Sequence, residues 1–328
     1  MNKDILKNLA PTNLTNFRSD RYDGGGFSVQ MRDFSLEDVS VVLQVYRTVK
    51  KIYDLWLYMK DDPNYGLFEN EIRDLSSDRF LNLVRGIGAD TYSNKKPSDT
   101  MRKVVHDIRG GALGALIGYS SIILDKGLTE ESVKMMIFFA RDHAKMMRNA
   151  ILDIDPSVRL ADESAKVHHI NDFIIKWNNA HVNLGNKDVA IHAESDFNGY
   201  ITNRCLETSA IDRVLYNFIN NAARFTDDQS VNLNIFQIND EQVRWVVSNR
   251  ISNDQYEWIK NETGNNTSKL FLGGITRNGH GIGLSSSLGF VASGFGISPN
   301  DALEKRYIGS DVVDLTYYAW FHWPVFIK

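Results

Sequence analysis

Residues 104–119 read VVHDIRGGALGALIGY, with a histidine and an aspartate inside a helical pattern. Apolar side chains recur three or four positions apart from Val105 to Ile117, which predicts an amphipathic helix with one buried stripe. His106 lies beside that stripe, and a neutral imidazole nitrogen is a nucleophile at physiological pH. Asp107 could accept the other ring N–H and fix the tautomer, although adjacent helical residues do not share a face. The alternative is an exposed His–Asp pair on an ordinary helix.

Four glycines at positions 110, 111, 114 and 118 lie in the same predicted helix, which we expect to run from about residue 98 to 125. Each glycine costs about 1 kcal/mol relative to alanine inside a helix. Close packing against another helix accounts for them. The alternative is a bendable segment one turn after His106.

Composition limits the classes of protein that this chain can represent. It has 328 residues, 43% of them hydrophobic, and a net charge of −4, which suggests two or three globular domains and argues against a nucleic-acid binder. A single cysteine, Cys205, excludes an internal disulfide framework and a multi-cysteine zinc site. No signal peptide or membrane-spanning run is visible, so we expect a soluble cytoplasmic protein with no membrane span.

The first half of the chain reads as helical. Residues 1–34 are expected to be a mobile or loosely docked lead-in, followed by helices at about 35–60 and 76–86. A helix at 130–152 should form a hairpin with the helix at 98–125. One hairpin cannot cover both of its apolar stripes, so two copies are expected to form a four-helix bundle with twofold symmetry.

The second half reads as α/β. Segments at 189–193, 231–238, 243–248 and 317–324 resemble strands, and helices are expected at 166–179 and 211–225. Residues 249–280 read as one long polar loop. One sheet with a helical face is the simplest arrangement.

Two asparagines mark the helix at 211–225. Asn217 and Asn221 are four residues apart, so both amides lie on one face, and Arg224 adds a cation one turn later. Amide oxygens can ligate Mg²⁺ that is coordinated mainly by phosphate and water. Two exposed or capped asparagines are the alternative.

A glycine-rich turn, GHGIGL at residues 279–284, opens a helix of small residues. Successive backbone N–H groups at a helix N-terminus can bind an anion. The turn lacks the preceding apolar strand of a dinucleotide-binding fingerprint, which disfavours that fold. An ordinary flexible loop is the alternative.

Together and in this order, three stretches resemble the sensor histidine kinases of two-component systems. Residues 104–119 are similar to the phospho-acceptor box, VLYNFINNAARFT at 214–226 to the asparagine box, and FLGGITRNGHGIGL at 271–284 to the ATP lid and second glycine box. The resemblance covers about residues 95–328. It implies an α+β chain whose hairpin (96–155) forms a dimeric four-helix bundle and whose C-terminal α/β sandwich (156–328) is of the Bergerat ATPase type. Residues 1–95 match no part of the family pattern, and their helical spacing predicts a helical packing module, with a sensor as the alternative.

The resemblance also implies a reaction. His106 would be phosphorylated from ATP with Asp107 as general base, and the phosphoryl group would pass to an aspartate of a response-regulator receiver domain. Asn217 and Asn221 would hold Mg²⁺ and phosphate, and Arg224 would contact phosphate. The remaining nucleotide-binding positions would be Asn249, Thr276, Arg277, Gly279, Gly281, Gly283 and Leu284. The implied partners are a second copy of the chain and the receiver domain.

This chain departs from the family pattern at three positions. Gly110 stands where many members carry the residue that orients water for dephosphorylation, so we expect weak phosphatase activity. Arg213 replaces the usual acid or glutamine before the asparagine box, and the first glycine box is absent, with Asn249 where an aspartate reads adenine. Two alternatives therefore stay open: a phosphotransfer or scaffold protein with a degenerate ATP site, and a chaperone- or topoisomerase-like ATPase.

Overall fold

The structure is a computed structural model that describes residues 3–15, 27–59, 64–94, 96–184, 187–277 and 281–326. The chain divides into two compact units. The sheet unit comprises Met1–Gly26, Glu163–Val182 and Lys187–Lys328, and the helical unit comprises Phe27–Asp162 and Asn183–Asn186. The division into 1–95, 96–155 and 156–328 stays a prediction, although the sheet unit includes the first residues of the chain.

The fold class is α+β, as expected. The helices are α1 (Lys3–Asn8), α2 (Leu36–Met59), α3 (Tyr65–Leu75), α4 (Asp78–Gly86), α5 (Ala89–Asn94), α6 (Asp99–Arg109), α7 (Ala112–Lys126), α8 (Glu130–Ala150), α9 (Pro156–Glu163), α10 (Ile170–Trp177), α11 (Cys205–Phe225), α12 (Asn253–Thr263), α13 (Gly283–Gly294) and α14 (Pro299–Glu304). The strands are β1 (Ala165–His169), β2 (His181–Asn183), β3 (Asp188–Ser195), β4 (Tyr200–Arg204), β5 (Ser230–Asn239), β6 (Gln242–Arg250), β7 (Ile308–Val313) and β8 (Thr316–Pro324). Within the described ranges, none of these helices is long and apolar enough to cross a membrane.

The prediction of one continuous helix over residues 98–125 is wrong. Helix α6 ends at Arg109 with Gly110 as its C-cap, and α7 begins at Ala112. Gly111 between them has φ +55° and ψ −124°, a conformation that side chains other than glycine rarely adopt. The glycines at 110 and 111 therefore break the helix one turn after His106, which was the less favoured interpretation.

The central helix of the helical unit is α8. Its N-cap residue, Thr129, forms a capping box with Ser132, and the helix packs against α2, α6 and α7. Every residue from Asp142 to Ala150 is buried. Helix α2 of the same chain covers part of α8. The bundle formed by two copies of the hairpin stays a prediction.

The sheet unit is built on a six-stranded mixed sheet in the order β2-β3-β5-β6-β8-β7, and β1 pairs with β4 separately. Strands β3 and β5 are parallel, whereas the pairs β5–β6, β6–β8 and β7–β8 are antiparallel. One face carries α10, α11 and α13. On that face the ring of Trp245 lies 5.1 Å from Phe173 and stacks on Phe321 at 5.5 Å. This face agrees with the expected sheet and helical layer.

Three other expectations about secondary structure were wrong. Residues 249–280 are not one loop, because they contain α12 and a 3-10 helix at Thr267–Leu272. The region predicted as a helix at 166–179 is a strand followed by a shorter helix, β1 and α10. Residues 3–15 are not a loosely docked lead-in: Leu6 and Leu9 are buried against Trp320 and its neighbours on the second face of the sheet.

Candidate functional site

The candidate acceptor, His106, lies in the last turn of α6. Its Nδ1 atom is 3.2 Å from Oδ1 of Asp107, so the neighbouring carboxylate does reach round the helix. The side chain of His106 is 21% exposed, whereas that of Asp107 is 3% exposed. With Nδ1 directed at the carboxylate, the nucleophilic lone pair is on Nε2.

A second histidine near this pair was not predicted. His143 on α8 is fully buried, and neither of its ring nitrogens has a hydrogen-bond partner among the described residues. Burial lowers the pKa of His143 to about 3, opposed only in part by the negative charge of Asp107. Its spacing of three residues from buried Ala140 on the apolar stripe of α8 was a signal for burial.

The asparagine helix and the glycine-rich helix meet at Asn217. Its Nδ2 atom donates to the carbonyl oxygen of Gly283 (3.0 Å) and to Oγ of Ser287 (3.2 Å), both on α13. Both contacts use the amide nitrogen, so the Oδ1 atom is the one suited to ligate a cation. The structure therefore brings together two of the three stretches that carry the family resemblance.

The glycine-rich turn also contacts the preceding lid stretch. Gly281 has φ +67°, and a Cβ atom on it would lie 3.0 Å from the backbone nitrogen of Gly274. The N-cap of α13 is Ile282, which offers no side-chain acceptor to the first N–H groups of the helix. The N-terminus of α13 can therefore accept an anion such as a phosphate.

The other predicted nucleotide-binding residues differ in exposure. Asn221 is half-buried and Arg224 is exposed on α11. Thr276 is exposed, Leu284 is half-buried, and Gly279 lies outside the described residues. Arg277 donates to Gln255 Oε1 at 2.9 Å and pairs with Asp254, so it is tied to α12, which the sequence did not predict.

Asn249 near the end of β6 has a buried oxygen suited to a ligand. The residue is 3% exposed, and its Nδ2 atom donates to the carbonyl of Arg250 at 3.2 Å. Its Oδ1 atom has no hydrogen-bond partner among the described residues. A buried acceptor without a donor is unfavourable, and an exocyclic amino group such as that of adenine would satisfy it. The residues present therefore fit a purine nucleotide.

Arg213 departs from the family pattern and lies deeper in the same helix. Its guanidinium carbon is 4.3 Å from the centre of the Phe290 ring on α13, and the residue is 4% exposed. It is one turn before Asn217. The substituted position therefore contributes to the packing of α11 on α13 rather than offering an acidic group to a cation.

No family model matches this chain, and no curated protein matches it. Solved structures do match. The mycobacterial sensor histidine kinase MprB is 12% identical with a TM-score of 0.33, and the match covers 50% of this chain and 100% of that chain. ShkA, crystallised in complex with AMPPNP, is 15% identical with a TM-score of 0.33, and the match covers 66% of this chain but 43% of that one.

A third match is the blue-light activated histidine kinase of Erythrobacter litoralis, represented by its histidine kinase domain. It is 10% identical with a TM-score of 0.29, covering 87% of this chain and 94% of that one. All three TM-scores are 0.33 or lower. MprB and the Erythrobacter litoralis protein are both histidine kinases.

Proposed function

We propose that this protein is a histidine kinase that phosphorylates His106 from Mg-ATP and passes the phosphoryl group to an aspartate of a response-regulator receiver domain. The observation that carries the proposal is the contact of 3.2 Å between His106 Nδ1 and Asp107 Oδ1 on a partly exposed helix end. The arrangement is that of a nucleophile with its orienting base. The cytoplasmic location and the receiver partner stay predictions from the sequence.

Asp107 has two roles in this proposal. It accepts the hydrogen bond from Nδ1–H, so the lone pair stays on Nε2. It would also stabilise the positive charge that develops on the imidazole when Nε2 bonds to the γ-phosphorus and ADP leaves with the electrons of the broken P–O bond. The Nδ1 proton remains between the imidazole and the carboxylate. Because Asp107 is nearly buried, its charge acts on the imidazole with little screening by water.

The nucleotide would be held by residues of α11, β6 and α13. Asn217 and Asn221 would hold Mg²⁺ and phosphate, Arg224 would contact phosphate, and Asn249 would accept from the adenine amino group. The N-terminus of α13 would bind phosphate through its backbone N–H groups. When bound, ATP supplies the phosphoryl group, and the protein supplies positioning and neutralisation of charge.

The test is incubation of the full chain with ATP labelled at the γ-phosphate. We expect a label on the wild-type protein that is labile in acid and stable in base, as for phosphohistidine. The variants His106→Gln and Asn221→Asp should carry no such label. A wild-type chain that binds ATP and stays unlabelled contradicts the proposal.

The competing function is a phosphotransfer or scaffold protein that does not use ATP, favoured by the absence of the first glycine box. Titration with a fluorescent ATP analogue separates the two, because the scaffold would not bind it. The variant Asn249→Leu should weaken binding about tenfold, since one buried hydrogen bond to the ligand is lost. An ATPase of the chaperone type would still turn over ATP with His106→Gln.

A further inference from the structure

The single cysteine of the chain, Cys205, is the first residue of α11 and follows directly on β4. It is half-buried and lies more than three helical turns before Asn217. Strand β1 pairs with β4 and places His168 opposite Thr202. The Sγ atom of Cys205 is 3.4 Å from Nε2 of His168. A nucleophilic sulfur is therefore in contact with a titratable imidazole, outside the nucleotide site proposed above.

A carboxylate lies on the other side of the same imidazole. His168 is 9% exposed, and its Nδ1 atom is 3.8 Å from Oδ2 of Asp172 in the first turn of α10. A negative charge at this distance favours a proton on Nδ1, which leaves Nε2 as the acceptor for the thiol proton. The order of carboxylate, imidazole and thiol is that of an activated nucleophile.

The position of Cys205 at the start of α11 also favours a negative charge on sulfur. The helix is 21 residues long, and the side chain of its N-cap residue, Arg204, accepts no hydrogen bond from the first turn. The first N–H groups of a helix and the positive end of its dipole stabilise an anion. Reactive cysteines combine such a helix position with a neighbouring basic group and partial exposure.

We propose that Cys205 and His168 form a thiolate–imidazolium pair and that hydrogen peroxide oxidises this thiolate. The imidazole first takes the thiol proton, and the thiolate sulfur then attacks one oxygen of the peroxide. An S–O bond forms, the O–O bond breaks, and the leaving hydroxide takes the proton from the imidazolium to become water. Sulfur loses two electrons and the peroxide gains them, so the products are a cysteine sulfenic acid and water.

The sulfenic acid would then be converted to a mixed disulfide. The chain has no second cysteine, so the resolving thiol comes from another molecule. Because Cys205 is half-buried and His168 beside it is buried, a low-molecular-weight thiol reaches the sulfur more readily than a cysteine of another protein does. The S–S bond forms as the S–O bond breaks and water leaves, and a reducing agent reverses the modification.

The first test is the rate of alkylation by iodoacetamide at pH 7, which reports Cys205 alone because the chain has one cysteine. An ordinary thiol is about 3% ionised at this pH, so the folded chain should react at least about fivefold faster than the same chain unfolded in urea. His168→Gln should remove this acceleration. A folded wild type that reacts no faster than the unfolded chain would overturn the thiolate pair.

Two further variants keep this test decisive if His168→Gln does not fold. The side chain of Asp172 is 59% exposed, and Asp172→Asn should slow the alkylation of the folded chain about twofold or more. His192→Gln, at an exposed position on β3, is the control and should leave the rate unchanged. Equal rates for Asp172→Asn and the control would count against the activated pair.

The second test adds hydrogen peroxide and glutathione to the full chain and measures the intact mass. The wild type should gain one glutathione that dithiothreitol removes, and Cys205→Ser should gain none. A stable sulfinic acid, or a disulfide between two chains, would overturn the small-thiol step. Neither test uses ATP, so both outcomes are independent of whether the chain is a kinase.

Discussion

Each unit contains a buried arginine with several hydrogen bonds, Arg148 in the helical unit and Arg244 in the sheet unit, and their acceptors differ. In the helical unit, Arg148 donates to both carboxylate oxygens of Asp162, at 2.6 and 3.1 Å. In the sheet unit, Arg244 donates to His322 Nε2 at 3.0 Å and to four backbone carbonyls in residues 3–15, with no carboxylate among these acceptors. The charge of Arg148 is neutralised by a carboxylate, whereas the charge of Arg244 is stabilised by the dipoles of backbone carbonyls.

The pKa values follow this difference. The Asp162 carboxylate helps to raise the pKa of Arg148 against the effect of burial. Burial and the nearby charge of Arg306 lower the pKa of Arg244 to about 10, since only neutral groups accept its hydrogen bonds. The buried charge in the helical unit is thus stabilised by a side chain of a neighbouring helix. The buried charge in the sheet unit is stabilised by the main chain of residues 3–15, which is distant in sequence. Substitutions in the Arg148–Asp162 pair should therefore lower the free energy of unfolding more than substitution of Arg244 does.

The largest effect is expected for Asp162→Asn. It leaves Arg148 buried without its carboxylate, which typically costs about 3–5 kcal/mol of unfolding free energy. The matched control is Asp54→Asn, which removes an exposed partner of Lys50 (Asp54 side chain 48% exposed) and should cost about 0.5 kcal/mol or less. Urea denaturation measures both. Equal losses for the two variants would contradict the contrast between the units.

The two histidines with no exposed surface, His143 and His322, predict a loss of stability in acid. Burial is the main cause that lowers the pKa of both His143 and His322 to about 3, whereas each is near 6.5 when unfolded. Below pH 6.5 the unfolded chain gains protons that the folded chain does not bind, so stability falls as the pH falls towards 3. The slope is about 1.4 kcal/mol per pH unit for each histidine.

The variant His143→Leu should remove one histidine's share of that slope, with little cost at neutral pH because its ring has no hydrogen-bond partner among the described residues. His322→Leu should be costly at every pH, since Nε of Arg244 loses its acceptor and the carbonyl of Tyr307 loses the bond to the imidazole Nδ1. His192→Gln, at an exposed position, is the control and should leave the slope unchanged. An unchanged slope for His143→Leu would count against its neutral burial.

A smaller effect is expected for Arg244→Met. Four carbonyls lose their donor, but the cost of burying a guanidinium also disappears, so we expect a net loss of about 2 kcal/mol. Hydrogen exchange in residues 3–15 should become faster. Arg306→Met removes a single bond to the carbonyl of Leu9 (2.6 Å) and should have a weaker effect on the same residues. Slow exchange in Arg244→Met would show that apolar packing alone holds the segment.

The helical unit and the sheet unit also differ in how much of them could be predicted from the sequence. The periodicity of α2, α8 and α11 was sufficient to place these helices, because a buried stripe repeats along one element. The docking of residues 3–15 could not be predicted, because Arg244 and its partners are more than 230 residues apart in sequence. The one sign in the sequence was an arginine inside a buried strand, because a buried guanidinium needs hydrogen-bond acceptors.

In the candidate site, Asp107 was proposed as the partner of His106 although adjacent helical residues do not share a face. The family resemblance assigned Asn217 and the glycine-rich turn to one nucleotide site. Helix α12 was missed because its sequence, NDQYEWIKNET, is polar and has no clear stripe. The sequence does, however, contain the capping residues at both ends of this helix. Ser252 caps the helix by accepting from the Gln255 N–H, and Gly264 ends it with φ +61°.

The smallest effect concerns main-chain conformation in the helical unit, where the continuous helix was wrongly predicted. Gly111→Ala forces an alanine to adopt φ +55° and ψ −124° and should cost at least about 1 kcal/mol. Gly114→Ala is the matched control in α7, where a Cβ atom meets nothing within 4 Å, and should stabilise the chain by up to about 1 kcal/mol. If urea denaturation shows that Gly111→Ala lowers and Gly114→Ala raises the free energy of unfolding, the break in the helix after His106 is supported. If both variants raise the free energy of unfolding, the helix can run continuously through Gly111. Main-chain conformation would then contribute less to the stability of the helical unit than main-chain contacts contribute to that of the sheet unit.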